Sequence, residues 1–129
     1  MKKAKTIPKL KQELQLIFNE YIRKRDAGLP CISCGETKLL QAGHFYATSG
    51  YDGLRFDEDN VHGECVRCNC FDESHLIGYS VNLVRKIGAE AFVELQLRAS
   101  KYRLFGHKWS RSELELLIKK YRVLLQKLK

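Results

Sequence analysis

Two Cys-x-x-Cys pairs constrain the fold of this 129-residue chain more than any other feature. Cys31 and Cys34 form the first pair, Cys65 and Cys68 form the second, and 30 residues separate the two pairs. Four thiolates spaced in this way can close a tetrahedral set around one Zn²⁺, which is typical of a structural zinc site. The alternative is four unrelated buried cysteines. The fifth cysteine, Cys70, is more typical of a packed thiol than of a further ligand.

The length and composition are those of a small globular domain. A chain of 129 residues builds one modest hydrophobic core. No stretch approaches the roughly 20 apolar residues that a membrane span needs, and the basic N-terminus lacks the apolar run of a secretory signal. We therefore expect a cytoplasmic protein without membrane contact. Disulfides are rare in a reducing cytoplasm, which favours a metal site for the paired cysteines.

Charge is distributed unevenly along the chain. Residues 1–25 carry a net charge of +6, residues 26–97 carry −6, and residues 98–129 carry +8. Basic ends can neutralise the phosphates of DNA, and an acidic centre suits a divalent cation held against a phosphate. The alternative for the two ends is that helix surfaces are often rich in lysine for solubility alone.

The hydrophobic pattern predicts an α+β domain with helices on both sides of a short sheet. We predict a loose basic arm at 1–8, a helix at 9–27, a zinc-stapled core at 31–77 and a helical part at 78–129. Within the core, the predicted elements are strands at 39–46 and 54–62 and a helix at 65–73. Beyond it, the predicted helices are one from Gly78 to Gly88, one at 89–99 and, after a connection at 100–109, a long one opened by Ser110. The long apolar face of the last helix could close the core or form a dimer interface.

A histidine and an asparagine lie between and beside the cysteine pairs. His44 ends the first predicted strand, and Asn60 lies five residues before Cys65. This order of residues resembles the HNH, or ββα-metal, nucleases. A neutral histidine can take a proton from the water that attacks phosphorus, and an asparagine carbonyl can orient that histidine. The alternative for His44 alone is a structural histidine.

Further candidates surround this pair. His62 could line the site, bind the metal or pack near the zinc. Asn69 and His75 are candidate ligands of a catalytic metal. Asp57, Glu58 and Asp59 could assist cation binding or form a solvated turn. The cations that we expect to contact DNA are Arg55, Arg67, Lys108 and Arg111, and a surface ion pair is an equal alternative for Arg55.

Longer stretches of the chain resemble the NinG recombination proteins of lambdoid phages, also called Rap, over roughly residues 15–128. The similar segments are Ile22-Arg-Lys-Arg-Asp26, Leu29-Pro-Cys-Ile-Ser-Cys-Gly35, Ala42-Gly-His44, Leu54-Arg-Phe56, Asn60-Val-His62, Cys65-x-x-Cys-Asn69, Arg85-Lys-Ile-Gly88 and Trp109-Ser110. The longer members of that family carry an additional N-terminal region, and we expect this chain to lack it.

The resemblance implies an endonuclease of phage homologous recombination in the bacterial host cytoplasm. It would cut branched DNA such as Holliday junctions and D-loops with Mg²⁺ or Mn²⁺, as a homodimer and with phage recombination proteins as partners. By position, the four paired cysteines match zinc ligands, His44 matches the catalytic histidine, and Asn60, His62 and Asn69 match the rest of the site. Two departures stand out. Gln41 replaces an aspartate that often precedes Ala-Gly-His, and the run from Cys70 to His75 replaces a more basic segment.

Two other functions fit the same sequence. A non-catalytic zinc module would bind DNA or a recombination partner without cutting it. A structural zinc protein of the phage particle would have no affinity for DNA. Loss of cleavage with retained folding and binding in a His44→Ala variant would separate the nuclease from both.

Overall fold

The computed structural model describes residues 3–72 and 74–128 as four α-helices and one two-stranded antiparallel sheet. The α+β class predicted from the sequence is confirmed. The elements in chain order are α1 at Ile7–Arg25, β1 at Leu40–His44, β2 at Val61–Cys65, α2 at His75–Ile87, α3 at Ala89–Phe105 and α4 at Arg111–Lys127. Across the described residues, no helix has both the length and the apolar character needed to cross a membrane.

The first helix begins at Ile7, before the predicted start. The Thr6 side chain caps it by accepting a hydrogen bond from the Lys9 backbone N–H. Pro8 occupies the first turn, where a proline lacks only an N–H that has no helical partner. The predicted loose arm at 1–8 is therefore wrong for its last two residues, and Met1 and Lys2 lie outside the described residues.

The sheet joins the two predicted halves of the core but with different boundaries. β1 is shorter than the predicted strand at 39–46, and its partner begins only at Val61. In the register, Leu40 lies opposite Cys65 and His44 lies opposite Val61. The predicted strand at 54–62 is correct only for its last two residues, which belong to β2, because residues 51–60 turn repeatedly through backbone hydrogen bonds, including a 3-10 turn at Asp52–Leu54.

The helices after the sheet also differ from the prediction. The second cysteine pair opens a π-helical turn at Arg67–Phe71 in place of the predicted helix at 65–73, because β2 continues through the first cysteine. Glu73 lies outside the described residues. α2 begins at His75, three residues before the predicted start, and α3 continues to Phe105 until Gly106 ends it at a φ of +66°.

α1 and α4 pack against each other, and this contact shows whether the apolar face of the last helix closes the core or is free to form a dimer interface. Leu114, Ile118 and Tyr121 of α4 are buried against the apolar face of α1. A capping box at Ser110 and Glu113 starts α4, as the sequence predicted. The apolar face closes the core, and the two basic ends of the chain thereby become neighbours in one helical layer.

α2 lies on the opposite side of the sheet and contacts the first cysteine pair. A Cβ on Gly78 would lie 2.0 Å from the Ser33 carbonyl oxygen, so only glycine allows the helix this close. The Tyr79 hydroxyl donates to the Gly43 carbonyl at 2.6 Å, and the Asn82 amide donates to the Ile32 carbonyl at 2.8 Å. α2 therefore holds the first cysteine pair and β1 in fixed positions.

Asp26, just after α1, is a buried carboxylate that joins three parts of the fold. It pairs with Arg25 at 2.9 Å and with Lys86 of α2 at 2.9 Å, and it accepts the Gly63 backbone N–H at 2.8 Å. Burial opposes ionisation, but hydrogen bonds from Arg25 and Lys86 outweigh it and hold the pKa of Asp26 well below its usual range.

Asp26→Asn keeps the shape of this side chain but removes its charge from between two cations. We expect the variant to lose about 2–4 kcal/mol of unfolding free energy at pH 7, because breaking a buried ion pair leaves the partner charges uncompensated. Urea denaturation measures the change. In the matched control, Glu36→Gln, the exposed pair with Lys38 is lost, and the urea midpoint is expected to stay at the wild-type value. Equal stabilities of the two variants would contradict the prediction.

Candidate functional site

The four paired cysteines converge as predicted. The sulfur atoms of Cys31, Cys34, Cys65 and Cys68 all lie within 4.8 Å of one another. The sulfurs of Cys34 and Cys65 are 3.9 Å apart, close to the roughly 3.8 Å between two thiolates on a tetrahedral zinc with bonds of about 2.3 Å. This donor set could hold a structural metal such as zinc. Cys70 is exposed and lies outside the cluster.

The local surroundings of the cluster favour a thiolate at Cys65. Burial opposes its ionisation, but hydrogen bonds from the Cys68 backbone and from neighbouring thiols lower the pKa of Cys65 to about 7. The backbone N–H of Cys65 also donates to the Cys31 sulfur at 3.3 Å. Metal binding requires thiolates, and burial raises the pKa values of Cys31 and Cys68, so a bound cation would have to displace protons from those two sulfurs.

His44 lies at the end of β1 and lines an open cavity of about 380 Å³. Its Nε2 is 3.0 Å from the backbone carbonyl of Arg55. A carbonyl only accepts, so Nε2 carries the proton and Nδ1 keeps its lone pair. Burial, partly opposed by that hydrogen bond, lowers the pKa of His44 below its usual value of about 6.5. The side chain is therefore a neutral imidazole at pH 7.

Asn60 has a different place from the one expected. It is fully buried, and its side chain accepts the Tyr46 N–H at 2.8 Å and donates to the carbonyls of Tyr46 and Leu54. The expectation that its carbonyl orients His44 is wrong, because the Arg55 carbonyl does so. Asn60 instead ties the two ends of the loop that carries Arg55, and it positions the histidine indirectly.

His62 is packed inside the protein and does not line the cavity. Only 1% of its surface is exposed, its Nδ1 is 3.1 Å from Arg25, and its Nε2 is 2.8 Å from the Asp59 carbonyl. Burial and the nearby charge of Lys86 lower the pKa of His62 to about 3. Of the alternatives for this residue, the structure favours packing over contact with a substrate or metal.

Glu64 is a buried carboxylate that the sequence analysis did not select. It has no exposed surface, and its Oε2 accepts from Ser33 and lies 2.6 Å from Nδ1 of His75. Across residues 3–72 and 74–128, its Oε1 is the single buried side-chain oxygen or nitrogen without a hydrogen-bond partner. An acidic residue within a strand, two positions after a histidine, was the signal available in the sequence.

Gln41 lies directly opposite Glu64 in the sheet. Directly paired residues of antiparallel strands project from the same face, so the acid and the amide are neighbours. Gln41 accepts a hydrogen bond from Asn69 at 2.9 Å. Asn69 thus contacts the position where the resemblance led us to expect an aspartate.

The cavity beside His44 is lined by aromatic residues and by a second histidine. Phe45, Tyr46 and Tyr51 form part of its wall, and His75 lines the same cavity. The rings of Tyr46 and Tyr51 lie 4.9 Å apart, and the guanidinium of Arg103 lies 5.9 Å from the centre of the Tyr51 ring. Sequence reasoning did not select these aromatic residues or Arg103.

The four cations expected at DNA differ in their availability. Arg55 is held by Asp52 at 2.7 Å and by Gln15 at 3.2 Å, which favours the ion-pair alternative for this residue. Arg111 pairs with Glu115 at 3.6 Å. Arg67 and Lys108 are exposed.

The acidic run from Asp57 to Asp59 stabilises the fold and is not a solvated turn. Asp57 pairs with Arg98 at 2.9 Å, and Glu58 accepts hydrogen bonds from Tyr21 and Tyr121. These carboxylates connect the loop to α1, α3 and α4. None of the three lines the cavity beside His44.

The fold and site define an α+β protein with a four-cysteine cluster that could bind a metal and, apart from it, a cavity lined by two histidines. A sequence model described as "Bacteriophage Lambda NinG protein" matches residues 1–129. The chain belongs to the NinG family, as the sequence resemblance indicated.

Curated relatives support this assignment. The chain is 39% identical over 120 residues to "Protein ninG" of Escherichia phage 933W, and 38% identical over 120 residues to the proteins of that name from Escherichia phage lambda and Salmonella phage P22. The matches cover 92% of this chain and 55–56% of the relatives, so the chain spans about half their length. No solved structure matches.

Proposed function

We propose that the protein is a metal-dependent DNA endonuclease that hydrolyses phosphodiester bonds in branched DNA. The observation that carries the proposal is His44, a neutral imidazole whose Nε2 is held by the Arg55 carbonyl at the edge of an open cavity. Membership of a bacteriophage family agrees with a role in phage DNA recombination. The cluster of Cys31, Cys34, Cys65 and Cys68 acts as a structural Zn²⁺ site.

His44 acts as the general base of the reaction. Nδ1 takes a proton from a water molecule while the water oxygen forms a bond to phosphorus. The bond from phosphorus to the leaving oxygen breaks, and that oxygen takes a proton from solvent. Asn60 supports the base through the loop, since it fixes the backbone that carries the Arg55 carbonyl.

Glu64 and His75 would hold a Mg²⁺ or Mn²⁺ ion, which would supply positive charge to stabilise the phosphate and the leaving oxygen. A carboxylate at Glu64 and an imidazole at His75 are available to such an ion, and within residues 3–72 and 74–128 one oxygen of the carboxylate has no hydrogen-bond partner. Asn69 and Gln41 are tied to each other by a hydrogen bond.

DNA binding uses the basic helical layer and the aromatic wall of the cavity. α1 and α4 bring the two basic ends of the chain together, and phosphate contacts from such a layer read shape and not base sequence. Tyr46, Tyr51 and Arg103 offer stacking and cationic groups beside the base, which suits the unpaired nucleotides of a branch point.

The direct test is cleavage of a labelled four-way junction and of a linear duplex with the same sequence, each with Mg²⁺, with Mn²⁺ and with neither. We expect metal-dependent cleavage and faster cutting of the junction. Equal rates on both DNAs would contradict the preference for branched DNA. Salt-sensitive binding without cleavage would instead indicate the non-catalytic zinc module, and absence of binding would indicate a structural role.

The pH dependence of cleavage reports on the proposed base. His44 acts in its neutral form, and burial lowers its pKa. We therefore expect the acidic limb of kcat/KM to have its midpoint below about pH 6.5, the usual value for histidine. A pH–rate profile on the junction measures this. An acidic limb centred above pH 7 would exclude a buried imidazole with a lowered pKa as the base.

A junction has two-fold related arms, so we propose that a homodimer binds it, together with phage recombination proteins. α4 is not the interface, because its apolar face is buried against α1. The mass of the protein–junction complex in analytical ultracentrifugation tests this part of the proposal. We expect two protein chains per junction, and one chain would contradict it.

A further inference from the structure

We infer that Glu64 and His75 are protein ligands of one divalent-cation site beside His44, an inference that rests on the proposed nuclease function. The site joins β2 to the first turn of α2. Its donors differ from those of the four-cysteine cluster, because they are a carboxylate and an imidazole and not thiolates. Its cation is of the Mg²⁺ or Mn²⁺ class, for which the Glu64 carboxylate is the suitable ligand, while the His75 imidazole is the softer second donor.

The spacing of the two side chains suits adjacent ligands. Glu64 Oε2 and His75 Nδ1 lie 2.6 Å apart, and adjacent ligands of an octahedral Mg²⁺ with bonds of about 2.1 Å are about 3 Å apart. The two side chains would therefore have to move apart only slightly for both to bind one ion. Mg²⁺ keeps several waters and is often bound by one or two carboxylates and a substrate phosphate, so a site with few protein ligands is sufficient.

The second observation is the unpartnered oxygen. Glu64 has no exposed surface, and its Oε1 has no hydrogen-bond donor within the described chain. The donors to Oε2 are the Ser33 hydroxyl and the His75 ring, and no lysine or arginine pairs with this carboxylate in the described residues. Its one ionisable partner there is His75, which compensates the charge only when the ring is protonated. A bound divalent cation would compensate the buried charge with His75 neutral.

Access and placement also favour this site. The side chain of His75 is 19% exposed and lines the same open cavity as His44, so an ion bound by His75 would lie at the wall of the cavity that the base also lines. The absence of a side chain at Gly43 leaves space for the Glu64 carboxylate, because a Cβ on Gly43 would lie 2.3 Å from Glu64 Oε1. Asp26, Asp57 and Glu58, by contrast, are occupied by arginine, lysine or tyrosine partners.

The test measures Mn²⁺ binding without DNA, on zinc-loaded protein, from the loss of the electron paramagnetic resonance signal of aqueous Mn²⁺. Wild type is compared with Glu64→Gln, which keeps the shape of the side chain, and with His75→Ala. The matched control is Glu36→Gln, which neutralises an exposed carboxylate near the first cysteine pair. Zinc content and circular dichroism verify that each variant is folded, and His75→Ala decides the matter if Glu64→Gln does not fold.

We expect wild type and Glu36→Gln to bind one Mn²⁺ per chain with equal affinity. Glu64→Gln and His75→Ala should each bind it at least about tenfold more weakly, as losses around metal sites commonly do. Wild-type affinity in either folded variant, or no Mn²⁺ binding by wild type at millimolar concentration, would overturn the inference. Mn²⁺ binding that needs Glu64, without any DNA cleavage, would reject the nuclease and keep the site. DNA cleavage with unchanged Mn²⁺ affinity in Glu64→Gln would reject the site and keep the nuclease.

Discussion

His44→Ala is expected to reduce junction cleavage by about 10² to 10⁴-fold, the range that general-base catalysis contributes. The reason is that alanine removes the Nδ1 lone pair and leaves water without a positioned proton acceptor. The fold should persist, because the lost hydrogen bond to the Arg55 carbonyl contributes only about 1 kcal/mol. Single-turnover cleavage rates and a thermal melt measure the two effects, and junction affinity should stay within about twofold of wild type.

The matched control is His107→Ala, since His107 lies between Tyr102 and Trp109 and outside the cavity beside His44. That variant should cleave at the wild-type rate. Retained cleavage by His44→Ala, or an equal loss in both variants, would exclude His44 as the base. The comparison therefore separates a chemical role from a general sensitivity to losing a histidine.

Cys65→Ser is expected to unfold most of the domain at 37 °C. A structural zinc contributes about 10–16 kcal/mol of apparent binding free energy, and losing one of four thiolates removes several kcal/mol of it. Total stability of a domain is only about 5–15 kcal/mol. The cluster joins the end of β2 to the first cysteine pair, against which α2 packs through Gly78, so the loss reaches beyond the cluster.

Zinc content, circular dichroism and thermal melting measure the outcome for Cys65→Ser, with Cys70→Ser as the matched control. Cys70 is exposed and belongs to no metal-binding cluster in the described chain. The control should keep one zinc and the wild-type melting curve. Prolonged chelation of wild type should reproduce the Cys65→Ser result. An unchanged melting curve in Cys65→Ser would refute the structural role of the cluster.

Local features of the sequence predicted the parts of the fold that depend on near neighbours. The spacing of Cys31, Cys34, Cys65 and Cys68 predicted the cluster, because a Cys-x-x-Cys turn brings its two thiols together. Helical periodicity predicted α1 and α4, and the residues Ser110 to Glu113 predicted where α4 begins. Element boundaries were less certain, since Pro8 is compatible with a first helical turn and Gly78 with the middle of a helix.

The candidate site could be predicted only in part. His44 lines a cavity as expected, but Asn60 and His62 point into the protein interior. A strand pattern predicts that residues two apart share a face, yet it does not say what covers that face. Here α2 and Arg25 cover His62, so burial makes it a structural histidine. The net negative charge of residues 26–97 likewise did not reveal which of their carboxylates form ion pairs or hydrogen bonds within the fold.

By itself, the sequence determined the family, the α+β class, the four-cysteine cluster and the basic ends, because each depends on residue type and short-range spacing. Tertiary structure alone decided which charged groups are compensated. It joined Asp26 to Lys86 and Asp57 to Arg98, and it left Glu64 buried beside His75 with one oxygen that has no partner in the part of the chain that the structure describes. The physical reason is that a charge is stabilised by the groups within a few ångströms of it, and those groups come from segments far apart in the chain.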